Sequence, residues 1–174
     1  MSLLVLGVSH HSAPMEVLEK VAAIDTEQTL SLVGAGEAVG EALLLSTCNR
    51  IEVYTDVSRF HAAVESLTAV LAKQSGIPAE SLSGHLYVHY EDAAVRHAFR
   101  VVSGLDSMVL GDEQILGQFR EAFKAAVEQG QAGSSLHQLA QSALRVGKRV
   151  HTDTGIGRHG ASVVEVALAE AREN

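Results

Sequence analysis

Two strand-like runs with only a short polar link between them constrain this chain more than any other feature. Ala42-Leu43-Leu44-Leu45 is a short apolar run of the kind seen in strands buried on both faces. From Ile51 onward, Ile51, Val53, Thr55 and Val57 alternate with Glu52, Tyr54 and Asp56, the period of a half-buried strand. A link this tight joins antiparallel neighbours, because parallel strands need a crossover of about a dozen residues or more. The link and its edges read Ser46-Thr47-Cys48-Asn49-Arg50-Ile51-Glu52 and hold the one cysteine of the chain. Nucleophile and anion-binding side chains are thus placed at the end of a hairpin, on a rigid scaffold of the kind that supports chemistry. A lone cysteine beside a buried strand also serves as a small core hydrophobe, but such a position has no need of Thr, Asn, Arg and Glu around it.

The remaining elements fall into order around this hairpin. Leu3 to Val8 reads as the first strand, and Ser9-His10-His11-Ser12-Ala13-Pro14 as a polar turn. Pro14 suits the first turn of a helix with Ser12 as its cap. Val17, Leu18 and Val21 continue at helical spacing. Asp25 is placed to cap a second short helix, with Gln28 three residues on, and the Gly34-Ala35-Gly36 region ends it. After the hairpin, Phe60, Ala63, Val64, Leu67, Val70 and Leu71 mark an amphipathic helix stopped by Gly76-Ile77-Pro78. His85 to Tyr90 reads as a fourth strand. The order strand, helix, strand, strand, helix, strand is the split βαβ, ferredoxin-like arrangement with an antiparallel sheet.

The rest is helical, which makes the fold class α+β. Asp92 can cap a helix through Val102, with Gly104 as its stop. A loop from Leu105 to Asp112 leads to a stripe at Ile115, Phe119, Phe123 and Val127, and Gly130 to Gly133 breaks it. Leu136, Leu139, Ala143 and Val150 define another helix, Thr154 to Gly160 a loop, and Ala161 onward the start of one more. We therefore expect one catalytic-type domain over 1–160, its sheet within 1–91 and its helical extension within 92–160, and the beginning of a long connecting helix over 161–174.

A net charge of −8 argues against a general polyanion binder but leaves room for a local basic stripe. One cysteine allows no internal disulfide and suits a reducing compartment. The apolar run at Leu3–Val8 is short and has no Lys or Arg before it, so it reads as a strand and not a signal peptide. No stretch is long enough to span a bilayer. The expected location is the cytoplasm.

The chemistry-bearing residues leave several readings open. A thiolate at Cys48 wants an acid or base, and among nine histidines His97 stands out, on a helix expected to pack near the sheet. The bland alternative for His97 is a partly exposed helix-face residue. His85 and His89 share a strand face with Tyr87, but no cysteines or carboxylates cluster with them, so no metal site is expected. Gly155-Ile156-Gly157 and Gly34-Ala35-Gly36 lack the strand-to-helix context of a phosphate loop, and no dinucleotide site is visible. Arg145, Lys148, Arg149 and Arg158 form either a solvated helix face or a contact to a phosphate backbone.

Taken together, these segments resemble the N-terminal catalytic domain of the glutamyl-tRNA reductases. The resemblance is carried by Gly7-Val8-Ser9-His10-His11-Ser12-Ala13-Pro14, by the Ser46–Glu52 stretch, by Ala94–Val101 with Ser103-Gly104-Leu105-Asp106-Ser107, and by Gln114-Ile115-Leu116-Gly117-Gln118. It covers nearly the whole chain, with Leu18 in place of a usual arginine and Asp112 in place of a usual glutamate. It implies reduction of the glutamate ester on its tRNA to glutamate-1-semialdehyde with NADPH, at the entry to tetrapyrrole synthesis. Cys48 is then the nucleophile that forms a thioester, and His97 the active-site histidine. Thr47, Asn49, Arg50, Ser107, Glu113, Gln114 and Gln118 are the implied substrate-binding residues, and Arg145, Lys148 and Arg149 the candidate tRNA contacts. The resemblance further implies a full-length homodimer that associates with glutamate-1-semialdehyde aminomutase. NADPH belongs to a domain beyond this segment, which binds no cofactor itself and is expected to be a monomeric fragment. Two other readings compete: a non-catalytic tRNA-binding or regulatory module derived from the same family, and an unrelated cysteine hydrolase. Retention of both Cys48 and His97 favours catalysis over pure binding, and the glutamate-type pocket residues have no place in a hydrolase.

Overall fold

The computed structural model describes residues 2–156. Four strands form one antiparallel sheet: β1 (Ser2–Ser9), β2 (Val39–Ser46), β3 (Arg50–Val57) and β4 (Tyr87–Tyr90), in the spatial order β2-β3-β1-β4. This is the ferredoxin-like order. β3 pairs with β1 from Ser9↔Arg50 to Ser2↔Val57 and with β2 from Ser46↔Ile51 to Val39↔Val57. Helices α1 (Met15–Ala22) and α2 (Thr26–Gly34) connect β1 to β2. Helices α3 (Phe60–Ser75) and α4 (Ala79–Ser83) connect β3 to β4. The chain then continues through α5 (Asp92–Val102), α6 (Gln114–Glu128) and α7 (Ser134–Thr154).

The two helix sets cover opposite faces of the sheet. Leu4, Leu6 and Val8 of β1 and Ile51, Val53 and Val57 of β3 face α1–α3 and are buried. The other face is covered by α5, α6 and α7, and here the sequence expectation needs correcting. β3 is not half-buried. All eight of its residues are buried, including Glu52 at 0% exposure, Tyr54 at 0% and Asp56 at 3%. The alternation of polar and apolar residues therefore separates two packed faces, not core from solvent. Three polar residues of β3 on this face each meet one helix of the extension. Glu52 bonds His97 of α5, Tyr54 sets its ring edge-on to Phe119 of α6, and Asp56 accepts a hydrogen bond from Ser135 at the start of α7. The Glu41 carboxylate of β2 also accepts the N–H groups of Ser135 and Leu136, at 3.1 and 2.7 Å. A charge from the sheet thus satisfies the free donors at the α7 N-terminus.

Several local expectations shift. Asp25 caps α2 through Gln28 N–H at 2.9 Å, as expected. Ser12 does not cap α1. Pro14 occupies the N-cap, while the Ser12 hydroxyl folds back onto Ser9. Asp92 is the first residue inside α5, and Glu91 holds the cap position with φ +49°. The short α4 is an addition to the expected elements, and β4 begins at Tyr87. His85 lies outside the strand, with Nδ1 against Ser12 O at 3.1 Å. Gly104 (φ +72°) ends α5, and Gly76 (φ +68°) ends α3. The expected connecting helix over 161–174, with Arg158, lies outside the described residues. Among those described, no helix is long and apolar enough to cross a membrane.

Candidate active site

The β2–β3 hairpin turns through Thr47-Cys48-Asn49. Thr47 N–H donates to Arg50 O at 2.9 Å, and Thr47 Oγ1 accepts Asn49 N–H at 3.2 Å. A third tie, His10 N–H to Asn49 O at 3.0 Å, fixes the turn against the loop that follows β1. Cys48 sits at the tip and is exposed. The scaffold braces the residues on either side of Cys48 and leaves its thiol exposed, unlike a cysteine used as core filler.

Behind the tip lies a buried charge network centred on Glu52. Its Oε1 receives Arg50 Nη1 at 2.8 Å, Tyr87 O–H at 2.5 Å and His97 Nε2 at 2.8 Å, and its Oε2 receives the Tyr54 hydroxyl. Burial alone would raise the Glu52 pKa. The hydrogen bond from His97 and the nearby Arg50 charge outweigh burial and bring it down to about 2. Burial and then Glu52 push both tyrosines above their ordinary range, so each remains a neutral O–H donor. Burial works against the Arg50 charge, but the nearby Glu52 and Asp106 carboxylates overcome it and raise the pKa.

A carboxylate of this kind can only accept, so His97 carries its proton on Nε2 and leaves Nδ1 as the basic nitrogen. Glu52 thereby fixes the imidazole tautomer, the role of the orienting acid in nucleophile–base–acid constellations. The His97 ring stacks on His89, with centroids 4.2 Å apart. Burial, then His97, pushes the His89 pKa down.

Gly7 makes this network possible. It pairs with both Glu52 and Tyr87, and a Cβ there would stand 2.8 Å from Glu52 Cγ and 2.9 Å from the Tyr87 hydroxyl. Gly7→Ala is therefore expected to cost about 1–3 kcal/mol by overpacking. Urea denaturation checks this, and a change within 0.5 kcal/mol, on the order of an ordinary surface substitution, would refute it.

The sequence-predicted residues divide into groups. Arg50 is 2% exposed and spent largely within the protein: Nη1 also reaches Asp106 Oδ2 at 3.0 Å, and Nη2 donates to Asp106 O. Cys48, Thr47, Asn49 and Arg50 thus share the hairpin end, and Arg50 joins it to the α5–α6 loop that holds Asp106 and Ser107. His97, 7% exposed, joins the same group through Glu52. Glu113 and Gln114 lie exposed at the start of α6, where Asp112 Oδ1 accepts Gln114 N–H at 2.9 Å. Gln118 lines a cleft of about 810 Å3 between α2, β2 and α6, together with Ser46. Arg145, Lys148 and Arg149 lie on an exposed face of α7, and Arg149 is paired with Asp153. No contact brings these three to the hairpin end.

Sequence reasoning missed Glu52, Asp106, Tyr87 and Tyr54 as members of the site. A signal was present: a glutamate directly after the Thr-Cys-Asn-Arg turn, in a strand followed by enough helix to cover a second sheet face.

A dinucleotide finds no seat among the described residues. The sheet is antiparallel throughout, the β1–α1 link over 10–14 holds no glycine, and the space beside Gly7 within β1 is filled by Glu52 and Tyr87. Pyrophosphate recognition needs a glycine-rich turn from a parallel strand into a helix N-terminus. These residues do not fit NADPH.

Comparison with known proteins bears on all of this. Residues 6–154 match the family described as glutamyl-tRNAGlu reductase, N-terminal domain. The glutamyl-tRNA reductase of Salinispora arenicola is 52% identical over 99% of this chain, and that of Corynebacterium glutamicum strain R 50% identical over 98%. The chain spans 38% and 37% of the length of those relatives. Among solved structures, glutamyl-tRNA reductase from Methanopyrus kandleri superposes with a TM-score of 0.73 at 30% identity, covering 87% of this chain and 34% of that one.

Proposed function

The chain belongs to the family of glutamyl-tRNA reductase N-terminal domains, and from that premise we propose that it is the acyl-accepting portion of such an enzyme. Cys48 takes the glutamyl group from glutamyl-tRNA. The observation that carries this reading is an exposed thiol on a braced hairpin tip, two residues from a buried Arg50–Glu52–His97 network.

The chemistry follows from these groups. The Cys48 thiolate attacks the ester carbonyl, an S–C bond forms, and the C–O bond to the terminal ribose breaks. His97 Nδ1 takes the thiol proton and returns it to the departing ribose hydroxyl. Glu52 holds the imidazole in the tautomer that allows this and stabilises the imidazolium that forms. The product is a protein thioester and free tRNA. In this reading Thr47, Asn49, Ser107, Glu113, Gln114 and Gln118 supply hydroxyl, amide and carboxylate groups for the glutamyl amino and carbonyl groups. Arg50, bonded through Nη1 to Glu52 and Asp106 and through Nη2 to Asp106 O, supplies its positive charge for the glutamyl carboxylate. Reduction of the thioester by NADPH, which the family implies for entry into tetrapyrrole synthesis, is the work of a region of the enzyme outside the described residues. The homodimer and the aminomutase partnership likewise concern the full-length enzyme. Cytoplasmic location follows from the substrate. The exposed basic face of Arg145, Lys148 and Arg149 serves as a distant contact to the tRNA body.

Incubation with glutamyl-tRNA followed by intact-mass spectrometry tests the reading. A glutamyl adduct on Cys48 is expected, and RNA binding with no adduct would establish instead a binding module. His97→Ala is expected to slow adduct formation by roughly 10²–10⁴. The pH–rate profile decides its role: the limb due to the histidine should vanish in the variant. A persistent limb would leave His97 as a positioning residue only.

A further inference from the structure

A second cleft, of about 470 Å3, opens beside the charge network. It is lined by Ser9, His11, Tyr87, His89, Ala93, Arg96, His97, Arg100 and Asp106. Ala93, Arg96, His97 and Arg100 follow one another at helical spacing, so α5 presents a single face to it. The face is cationic in a chain whose net charge is −8. The one carboxylate in the lining, Asp106, is already bonded to Arg50. Neither Arg96 nor Arg100 donates a hydrogen bond among the described residues. Arg100 is 61% exposed and reaches no nearer to Asp106 than 3.9 Å. Two uncommitted guanidinium groups one helical turn apart, at the mouth of a cleft, suit an oxyanion with donors on two sides.

The place of the cleft narrows the choice of anion. Its wall includes His97, the proposed base, and Asp106, the partner of Arg50 at the Cys48 hairpin end. The cleft on the other side of the hairpin, by Ser46 and Gln118, is lined by Glu27, Glu121 and Glu128 and repels phosphate. Resting on the acyl-transfer reading above, we propose that Arg96 and Arg100 hold the phosphodiester of the terminal nucleotide of the acyl donor, setting its ribose ester against Cys48. The α5 helix then does two jobs from one face: His97 serves the reacting bond and the arginines serve the leaving group. The phosphate contact also accounts for how an acidic domain engages the end of an RNA without a general affinity for polyanions.

The test uses the chain itself and its Arg96→Gln/Arg100→Gln variant, both checked for folding by circular dichroism, as both side chains are exposed. Fluorescence anisotropy measures binding of an unacylated hairpin RNA with a single-stranded CCA end across a salt series. The variant should bind more than tenfold more weakly, with a salt slope reduced by roughly 0.7 for the one lost phosphate contact. Adduct formation is then measured from the glutamyl ester of that RNA and from a glutamyl ester of phosphate-free adenosine. The rate with the RNA ester, relative to the phosphate-free ester, should fall at least tenfold in the variant. Equal losses with both donors would assign the arginines to the glutamyl carboxylate and overturn the proposal. Unchanged binding and salt slope, or no RNA binding by the unaltered chain, would overturn it too. Failure of the acyl-transfer reading is seen separately, as no adduct from either donor while the difference in RNA binding persists.

Discussion

Cys48→Ser is expected to abolish the glutamyl adduct and leave the protein folded. The loss of acyl transfer should be roughly a thousandfold or more, the scale of losing a nucleophile outright. The reason lies in the atom. A thiol supplies a thiolate near neutral pH, whereas a serine hydroxyl needs a base in place at every turnover and is a weak nucleophile without one. Nothing in the fold leans on this side chain. It is exposed at the hairpin tip, and the turn is held by Thr47, Asn49 and His10. Unfolding free energy should change by no more than about 0.5 kcal/mol. RNA binding should persist. Intact mass after exposure to glutamyl-tRNA reads the first outcome, and urea denaturation the second. An adduct of undiminished yield in the serine variant would place the nucleophile elsewhere.

Glu52→Gln should have the largest effect on stability. Four donors converge on this one carboxylate: Arg50, Tyr54, Tyr87 and His97. A glutamine keeps the volume, but it removes the charge and turns one acceptor into a donor that faces other donors. Breaking a buried ion pair from one side costs about 3–5 kcal/mol. The pKa gives a consistent figure. A carboxyl lowered from 4.5 to about 2 on folding stabilises the folded state by about 3 kcal/mol when ionised. The sign is that of a depressed acid: the contribution is complete above about pH 4.5 and is lost as the pH falls towards 2. The variant should therefore be about 3 kcal/mol less stable at pH 7, and the gap should close by about pH 2. Parallel urea curves at several pH values measure it. A gap that stays constant down to about pH 2, or none at pH 7, would show that Glu52 is not the ionised centre.

Much of this architecture was legible because the ferredoxin-like half obeys local rules. The βαββαβ order follows from periodicities and from a tight link that admits only a hairpin. Asp25 announced the start of α2 by its own side chain. What escaped was tertiary. The period of β3 is plain in the sequence, but period 2 records only that two faces differ. Whether the second face meets water or helices depends on where residues more than forty positions later pack. That is why Glu52, Tyr54 and Asp56 read as solvent-facing in the sequence and are buried in the fold. The same blindness applies to Arg50. Its type suggests a substrate contact, and only the fold reveals that Asp106 and Glu52 already occupy much of it. Cys48 and His97 stand out from residue type and resemblance. Glu52, which joins His97 to Arg50 at the hairpin end, needs Gly7 and Tyr87 beside it to be recognised.

The network also sets an order of events on the way from ribosome to native protein. Glu52 waits for His97 across 45 residues of sequence, and Arg50 waits for Asp106 across 56. Until α5 and its following loop have emerged, the hairpin carries a glutamate and an arginine on a face with nothing to cover it. Contacts far apart in sequence form later than local ones, because the closure entropy of the chain between them must be met first. The sheet can therefore form early, while docking of α5 waits for the later stretch of chain. A nascent chain released before Asp106 would have the thiol on a hairpin whose arginine still lacks its partner, and one released before His97 would have a Glu52 carboxylate without its imidazole donor. On the acyl-transfer reading, the proposed nucleophile and its proposed base are thereby separated in time as well as in sequence.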